Sequence, residues 1–142
     1  MDDIQRRLLA ILFRRVTGRQ TEEQQVKDRE TLDSIYLYRY HRIDQPAARR
    51  HHLALILICA HLRKDKQGDS ELTAAALSEL EAINAGRSDK AATDVRAYLH
   101  SALYLSTGDV TYREAAKAYI RDHQPKSQSL RNLVKLIRIK RV

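Results

Sequence analysis

Three cations near the end of the chain, Arg131, Lys135 and Arg138, are spaced i, i+4, i+7, and on a helix that spacing puts them on one face. With Lys126, Lys140 and Arg141 they give the last twenty residues six basic side chains and no acid. A row of fixed positive charge one helix long is suited to neutralising successive phosphates of a polyanion. The same row complements the negative end of its own helix dipole, so helix stability alone explains part of it. A basic amphipathic helix also fits an anionic membrane surface or a groove on a partner protein. A second basic group, Arg39, Arg42, Arg49, Arg50, His51 and His52, has Tyr36, Tyr38 and Tyr40 interleaved with its first members. Guanidiniums hold phosphates while tyrosine rings stack on unpaired bases, so this mixture suits nucleic acid as well. Helical spacing aligns Tyr36 and Tyr40 with an apolar stripe through Leu32 and Ile43. Those two rings are therefore expected in the core, which leaves Tyr38 as the ring free to meet a ligand.

Other site chemistry is absent from the chain. Four isolated glycines cannot build a GxGxxG or Walker phosphate loop, and neither His-Glu-x-x-His nor a paired Cys-x-x-Cys occurs. His51, His52, Cys59 and His61 match none of the common zinc spacings. Cys59 lies inside the apolar run from Leu53 to Ala60 and reads as a small hydrophobe. As the lone cysteine it permits no internal disulfide and is compatible with a reducing compartment. No catalytic residue, cofactor or metal is expected, and the chain is not read as an enzyme.

The elements that must position these cations follow from the helix breakers. Gly18, Pro46, Gly68, Gly86, Gly108 and Pro125 are the only glycines and prolines, and each separates segments of helical periodicity. Six breaks predict seven helices, while strand signals are weak. Asp3 to Thr17 turns Ile4, Leu8, Ile11 and Leu12 to one side. Thr21-Glu22-Glu23-Gln24 fits a capping box opening a helix that runs to about Ile43. Pro46 begins a third helix that ends near Gly68 and is apolar all round in its middle, marking it as the central element. Ser70 and Ser88 serve as N-caps of the next two, which bury Leu72, Ala76, Leu80 and Ile83, then Val95, Leu99, Ala102 and Leu103. Asp109 caps a sixth, with Tyr112, Ala115, Ala116, Tyr119 and Ile120 inward. The seventh, Ser127 to about Ile139, buries Leu130, Leu133, Val134 and Ile137. The fold class expected is all-α, one bundle or irregular helical array covering residues 1–142.

The bulk composition agrees. At 142 residues, with 43% hydrophobic and 31% charged side chains, the chain has ordinary globular content for one domain. The net charge of +8 is unevenly placed: +4 over residues 1–70, −2 over 71–122 and +6 over 123–142. The start, Met1-Asp2-Asp3, is acidic where a secretory leader is basic. The apolar run is far shorter than the roughly 18 residues of a membrane span. A cytoplasmic protein with no transmembrane segment is expected.

Three local patterns, and the general layout of the chain, resemble known proteins. Arg96-Ala-Tyr-Leu-His100 is similar to the Arg…His signature of HEPN-type ribonucleases, which would imply metal-independent RNA cleavage by Arg96 and His100. Only three residues separate the pair, fewer than that signature has, and i, i+4 neighbours on a helix surface explain it as well. The stretch through Ala97, Leu103, Tyr104, Gly108-Asp109, Ala115, Ala116, Tyr119 and Pro125 resembles one tetratricopeptide unit. Arg113 stands where a small residue belongs, and no second copy follows at a period of about 34 residues. Residues 110–139 resemble a helix-turn-helix with a lengthened break, implying that Ser127, Gln128, Arg131, Asn132 and Lys135 face a major groove. In layout alone, a basic all-helical chain of this size is similar to the small helical subunits of bacterial CRISPR ribonucleoproteins.

The function expected is therefore non-catalytic binding of DNA or RNA, or a subunit role in a nucleoprotein complex. Phosphates would be held by Arg39, Arg42, Arg49, Arg50, Lys126, Arg131, Lys135, Arg138, Lys140 and Arg141. The alternative is a tetratricopeptide-like adaptor that docks an acidic protein partner in a larger assembly.

Overall fold

The computed structural model describes residues 3–64, 66–86 and 93–139. They form seven helices: α1 (Asp3–Thr17), α2 (Glu22–Tyr36), α3 (Pro46–Arg63), α4 (Lys66–Ala85), α5 (Thr93–Thr107), α6 (Val110–His123) and α7 (Gln128–Ile139). No strand occurs among the described residues, and the all-α class stands.

Local chemistry explains most of the boundaries. Gly18 and Gly108 follow α1 and α5 with φ of 69° and 76°, a left-handed conformation that costs glycine nothing and strains any residue with a Cβ. Asp109 Oδ1 accepts the Thr111 N–H at 3.0 Å at the start of α6. Thr21 Oγ1 accepts the Gln24 N–H at 3.1 Å, but the reciprocal half of the expected capping box is missing. The Gln24 side chain is turned toward Asp28, to which its Nε2 donates at 2.9 Å, so its amide oxygen is not brought back to accept the Thr21 N–H.

Asp28, only 2% exposed, is the polar joint between α1 and α2. Arg14 grips it with Nε at 3.2 Å and Nη2 at 2.5 Å, and Gln20 Nε2 adds a third donor at 2.8 Å. Burial pushes the carboxyl upward, but the hydrogen bonds from Arg14, Gln20 and Gln24 outweigh it and hold Asp28 below the ordinary carboxylate range.

Two expected boundaries are corrected. The third helix does not run to Gly68: it stops at Arg63, where Lys64 takes the left-handed conformation at φ 59° and closes the last turn onto the Ala60 and His61 carbonyls. Gly68 and the expected cap Ser70 both lie inside α4. The second helix does not run to Ile43 but stops at Tyr36. Beyond it the N–H groups of Tyr38, Arg39 and His41 each bond three residues back, and Arg39 Nη1 donates to the Tyr36 carbonyl at 3.0 Å. Those tightened turns consume the carbonyls a longer helix would have used. The expected cap Ser88 lies outside the described residues.

The packing has a simple plan. The four odd-numbered helices form a closed ring, with α1 on α3, α3 on α5, α5 on α7 and α7 back on α1. Their N-terminal parts meet at one end, where Gln5 Nε2 donates to His51 Nε2 at 2.8 Å and to the Tyr98 hydroxyl at 2.6 Å. Tyr98 in turn lies 3.3 Å from the Ser127 hydroxyl. The even-numbered helices return along the outside: α2 against α3 and α1, α4 against α3 and α5, α6 against α5 and α7. This explains the all-round apolar α3. Every side chain from Ala54 to Ala60 is buried because α1, α2, α4 and α5 surround it. Each such leucine or isoleucine contributes about 1.5–3 kcal/mol by leaving water. Cys59 sits among them, donating its Sγ–H to the Leu32 carbonyl at 3.3 Å, with its thiol pushed up to about 12 by burial. It is an inert core residue.

Candidate nucleic-acid interface

The last helix is positioned by its apolar side. Leu130, Leu133, Val134, Leu136 and Ile137 of α7 are buried against α1, α5 and α6. Ser127 caps the start, its hydroxyl accepting the Leu130 N–H at 3.3 Å. Because that apolar face is fully occupied, α7 cannot lay it on a membrane or into another protein's groove, and the sequence reading that allowed this is corrected. What remains for solvent is the opposite face: Gln128, Asn132, Lys135, Arg138 and the apolar Ile139 are exposed and Arg131 is half-buried. Arg131 is partly tethered, its Nε donating to the Pro125 carbonyl at 2.6 Å. Gln128 Nε2 donates to Asn132 Oδ1 at 2.9 Å, leaving Lys135 and Arg138 to point outward.

Among the described residues, no carboxylate lies within ion-pairing distance of Lys126, Arg131, Lys135 or Arg138. The helix therefore presents uncompensated charge. Lys140 and Arg141, placed in the same row by sequence, lie outside the described residues. The structure adds two cations that sequence missed. A shallow cleft between α6 and α7 has Ile120 and Val134 as its floor and Lys117, Arg121 and Arg138 as its rim. Lys117 and Arg121 belong to a segment of net negative charge, and each has an acidic neighbour, Glu114 at 3.2 Å and Asp122 at 3.0 Å. Only their place beside α7 makes them candidates.

The second cluster is arranged differently. Arg50, counted as a phosphate ligand from its type, is 8% exposed, and its Nε lies 2.9 Å from Glu79. It is a positioning cation between α3 and α4, and its place in the expected site is corrected: residue type carries no burial information. Arg49 shares the same Glu79 at 3.5 Å but keeps about half its side chain in water. Arg42 is exposed and lies 3.2 Å from Asp44. Arg39 is held over the Tyr36 ring at 4.4 Å and the Tyr40 ring at 4.8 Å. Tyr36 is in the core as expected. Tyr40 is not: the early end of α2 takes it off the apolar stripe and leaves it 66% exposed, beside Tyr38 at 61%.

His100 lies on α5 facing α6, and Arg96 is one turn earlier on the same helix. The His100 ring stacks on Tyr112 at 6.2 Å, and its buried Nδ1 has no hydrogen-bond partner among the described residues. Burial first, then the nearby Arg96 charge, lowers its pKa to about 4. Unpaired and neutral, it is a ring packed between two helices. Among the described residues no group of three His, Cys, Asp or Glu side chains could hold a metal ion, and no helix is long and apolar enough to cross a membrane.

Comparison of the chain with protein-family models, with curated proteins and with solved structures gives no match.

Proposed function

We propose that this protein binds the phosphate backbone of nucleic acid through the solvent face of α7, without catalysis, as a subunit or accessory of a nucleoprotein complex. The observation that carries this reading is the set of cations on and just before α7, Lys126, Arg131, Lys135 and Arg138, with no carboxylate of the described residues in reach. A charge that is exposed and not internally paired gains most from an incoming phosphate, because no ion pair is broken to make the new one. Lys117 and Arg121 widen the surface across the α6–α7 cleft. Arg39, Arg42 and Arg49 form a weaker second patch. Selectivity for sequence is low on this reading, since phosphate contacts position a protein without reading bases. The lone reduced thiol of Cys59 suits a cytoplasmic setting, to which the proposal extends.

The test is fluorescence anisotropy with labelled 20-nucleotide single strands and duplexes across salt. With about six phosphates contacted, affinity falls by a few orders of magnitude from low to moderate salt. Replacing Lys135 and Arg138 by alanine lowers the log–log slope on duplex DNA by roughly two, with unchanged thermal unfolding. An unchanged slope in a folded variant, or no binding by the parent chain at low salt, sinks the proposal.

A second reading, a protein–protein adaptor, has one observation in its favour. An open groove of about 370 Å³ between α1 and α7 is lined by Leu9, Ala10, Phe13 and Leu136, with Asn132 and Lys135 beside them, and Phe13 is 44% exposed. It would take an apolar side chain from an acidic partner, and Phe13→Ala would then abolish capture of that partner while leaving nucleic-acid affinity unchanged.

A further inference from the structure

The turn between α2 and α3 carries, beside its cations, apolar and aromatic side chains that phosphate binding does not use. Within four residues it exposes Leu37, Tyr38 and Tyr40 at 77%, 61% and 66%, next to Arg39. Three large apolar side chains on so short a segment are costly to leave in water, and one at a time would be unremarkable. The segment is also fixed in place. The His41 N–H bonds the Tyr38 carbonyl at 3.0 Å, and His52 Nε2 lies 3.0 Å from the same oxygen. Tyr40 is anchored at its hydroxyl, which donates to Glu71 at 3.3 Å.

The rings are preset for stacking. The Arg39 guanidinium lies over both Tyr36 and Tyr40, and Arg63 lies 4.1 Å from the Tyr36 centroid, so cations and rings follow one another outward from the core to Tyr40. The one ring beside Tyr38 among the described residues is His41, at 6.4 Å and 79°, an edge contact and not a stack. We infer that this turn is a stacking platform for unpaired nucleobases, with Tyr38 and Tyr40 as the two ring surfaces and Arg39 as the cation that fixes the second. The inference rests on the nucleic-acid reading above and adds its substrate class: single strands in preference to duplex. Stacking is the chemistry that fits, because every base has a π face, whereas paired bases hide theirs.

The platform and α7 share one end of the molecule. Ser127, at the start of α7, contacts Tyr98; Tyr98 meets Gln5; Gln5 meets His51; and the next residue, His52, reaches the Tyr38 carbonyl. A strand leaving the first turn of α7 thus starts at the same end as the tyrosines.

The experiment compares full-length protein and Tyr38→Ala/Tyr40→Ala on labelled (dT)20, (U)20 and a 20-base-pair duplex. Loss of one stacked base costs roughly 5- to 150-fold in affinity. The double variant is expected to lose at least that much on both single strands, keep its duplex affinity within about twofold, and keep the salt slope, since tyrosines neutralise no phosphate. Tyr40→Phe keeps the ring, drops only the Glu71 bond and binds like the parent. If the double variant fails to fold by circular dichroism, Tyr38→Ala alone, whose hydroxyl makes no hydrogen bond among the described residues, is read the same way. A folded variant that binds single strands like the parent, or loses single strand and duplex equally, overturns the platform while leaving the α7 reading intact. If the parent binds none of the three probes, both fall together.

Discussion

Two regions of this molecule hold, among the described residues, four cations each that sequence nominates for the same task. Around the α2–α3 turn, Arg49 and Arg50 divide one carboxylate, Glu79, Arg42 has Asp44, and Arg39 is spread over two tyrosine rings. On and before α7, Lys126, Arg131, Lys135 and Arg138 meet no carboxylate of the described residues. The counts match, but the fields they project do not. A guanidinium 3 Å from a carboxylate shows a ligand a dipole, which fades faster with distance than a charge does. Acids close in space decide which basic residues can serve a polyanion. The α7 region is free of them because the last twenty residues contain none and α6 offers only Glu114 and Asp122, already engaged by its own cations.

The sharpest way to press this contrast is to remove an internal carboxylate. Asp28→Ala leaves Arg14 half-buried without its partner and strands Gln20 and Gln24, so urea unfolding should show a loss of about 3–5 kcal/mol. A loss under about 1 kcal/mol would mean that the internal pairs hold nothing together. Glu79→Gln tests the α2–α3 region itself. Stability should fall by about 1–3 kcal/mol because Arg50 stays buried. Low-salt affinity for nucleic acid should rise, with a salt slope steeper by up to about one, as the exposed Arg49 is released. Unchanged binding would show that this patch lies off the path of the ligand.

How far the sequence reaches can be judged from the same residues. Seven helices, the buried α3 and the inward faces of α4, α5 and α7 were legible because glycine, proline and a 3.6-residue period act locally. The end of α2 was not. No breaker marks Tyr36, and the apolar period continues through Tyr40, while the bonds that stop the helix come from the N–H groups of Tyr38, Arg39 and His41 and from the Arg39 side chain on the Tyr36 carbonyl, none of which spacing reveals. Lys64 is similar: its left-handed turn splits α3 from α4 at a residue with no such preference, so Gly68 drew the boundary falsely. The candidate site divides the same way. The row on α7 follows from spacing, but Arg50's burial and the contribution of Lys117 and Arg121 depend on which helix packs where.

Acid titration reads a second, smaller contrast, between groups the fold keeps neutral and groups it keeps charged. The folded pKa of His100 lies near 4, below its ordinary 6.5, so its contribution is complete above 6.5 and is lost as pH falls toward 4. Asp28 is also depressed, so its contribution is complete above about 3.8 and is lost only below that. Stability should therefore decline in two stages, and His100→Phe should remove the first and leave the second. An NMR midpoint near 6.5 for His100 would contradict its burial. Since neither group lies on α7, nucleic-acid affinity between pH 6.5 and 8 should not follow His100.

The smallest effects separate neighbours on one helix face. Arg131 and Lys135 are one turn apart on α7, yet Arg131 Nε is bonded to the Pro125 carbonyl and Lys135 makes no bond within the described residues. Arg131→Lys keeps the charge and loses the guanidinium Nε–H that meets the Pro125 carbonyl, so unfolding should register a loss of about 0.5–1.5 kcal/mol with the salt slope unmoved. Lys135→Ala should do the reverse, lowering the slope on duplex DNA by about one while stability stays within about 0.5 kcal/mol. Were Lys135 to matter for folding and Arg131 only for binding, the tethered residue would be the ligand's partner. The division between internally engaged and free cations would then fail on the very helix where it is clearest.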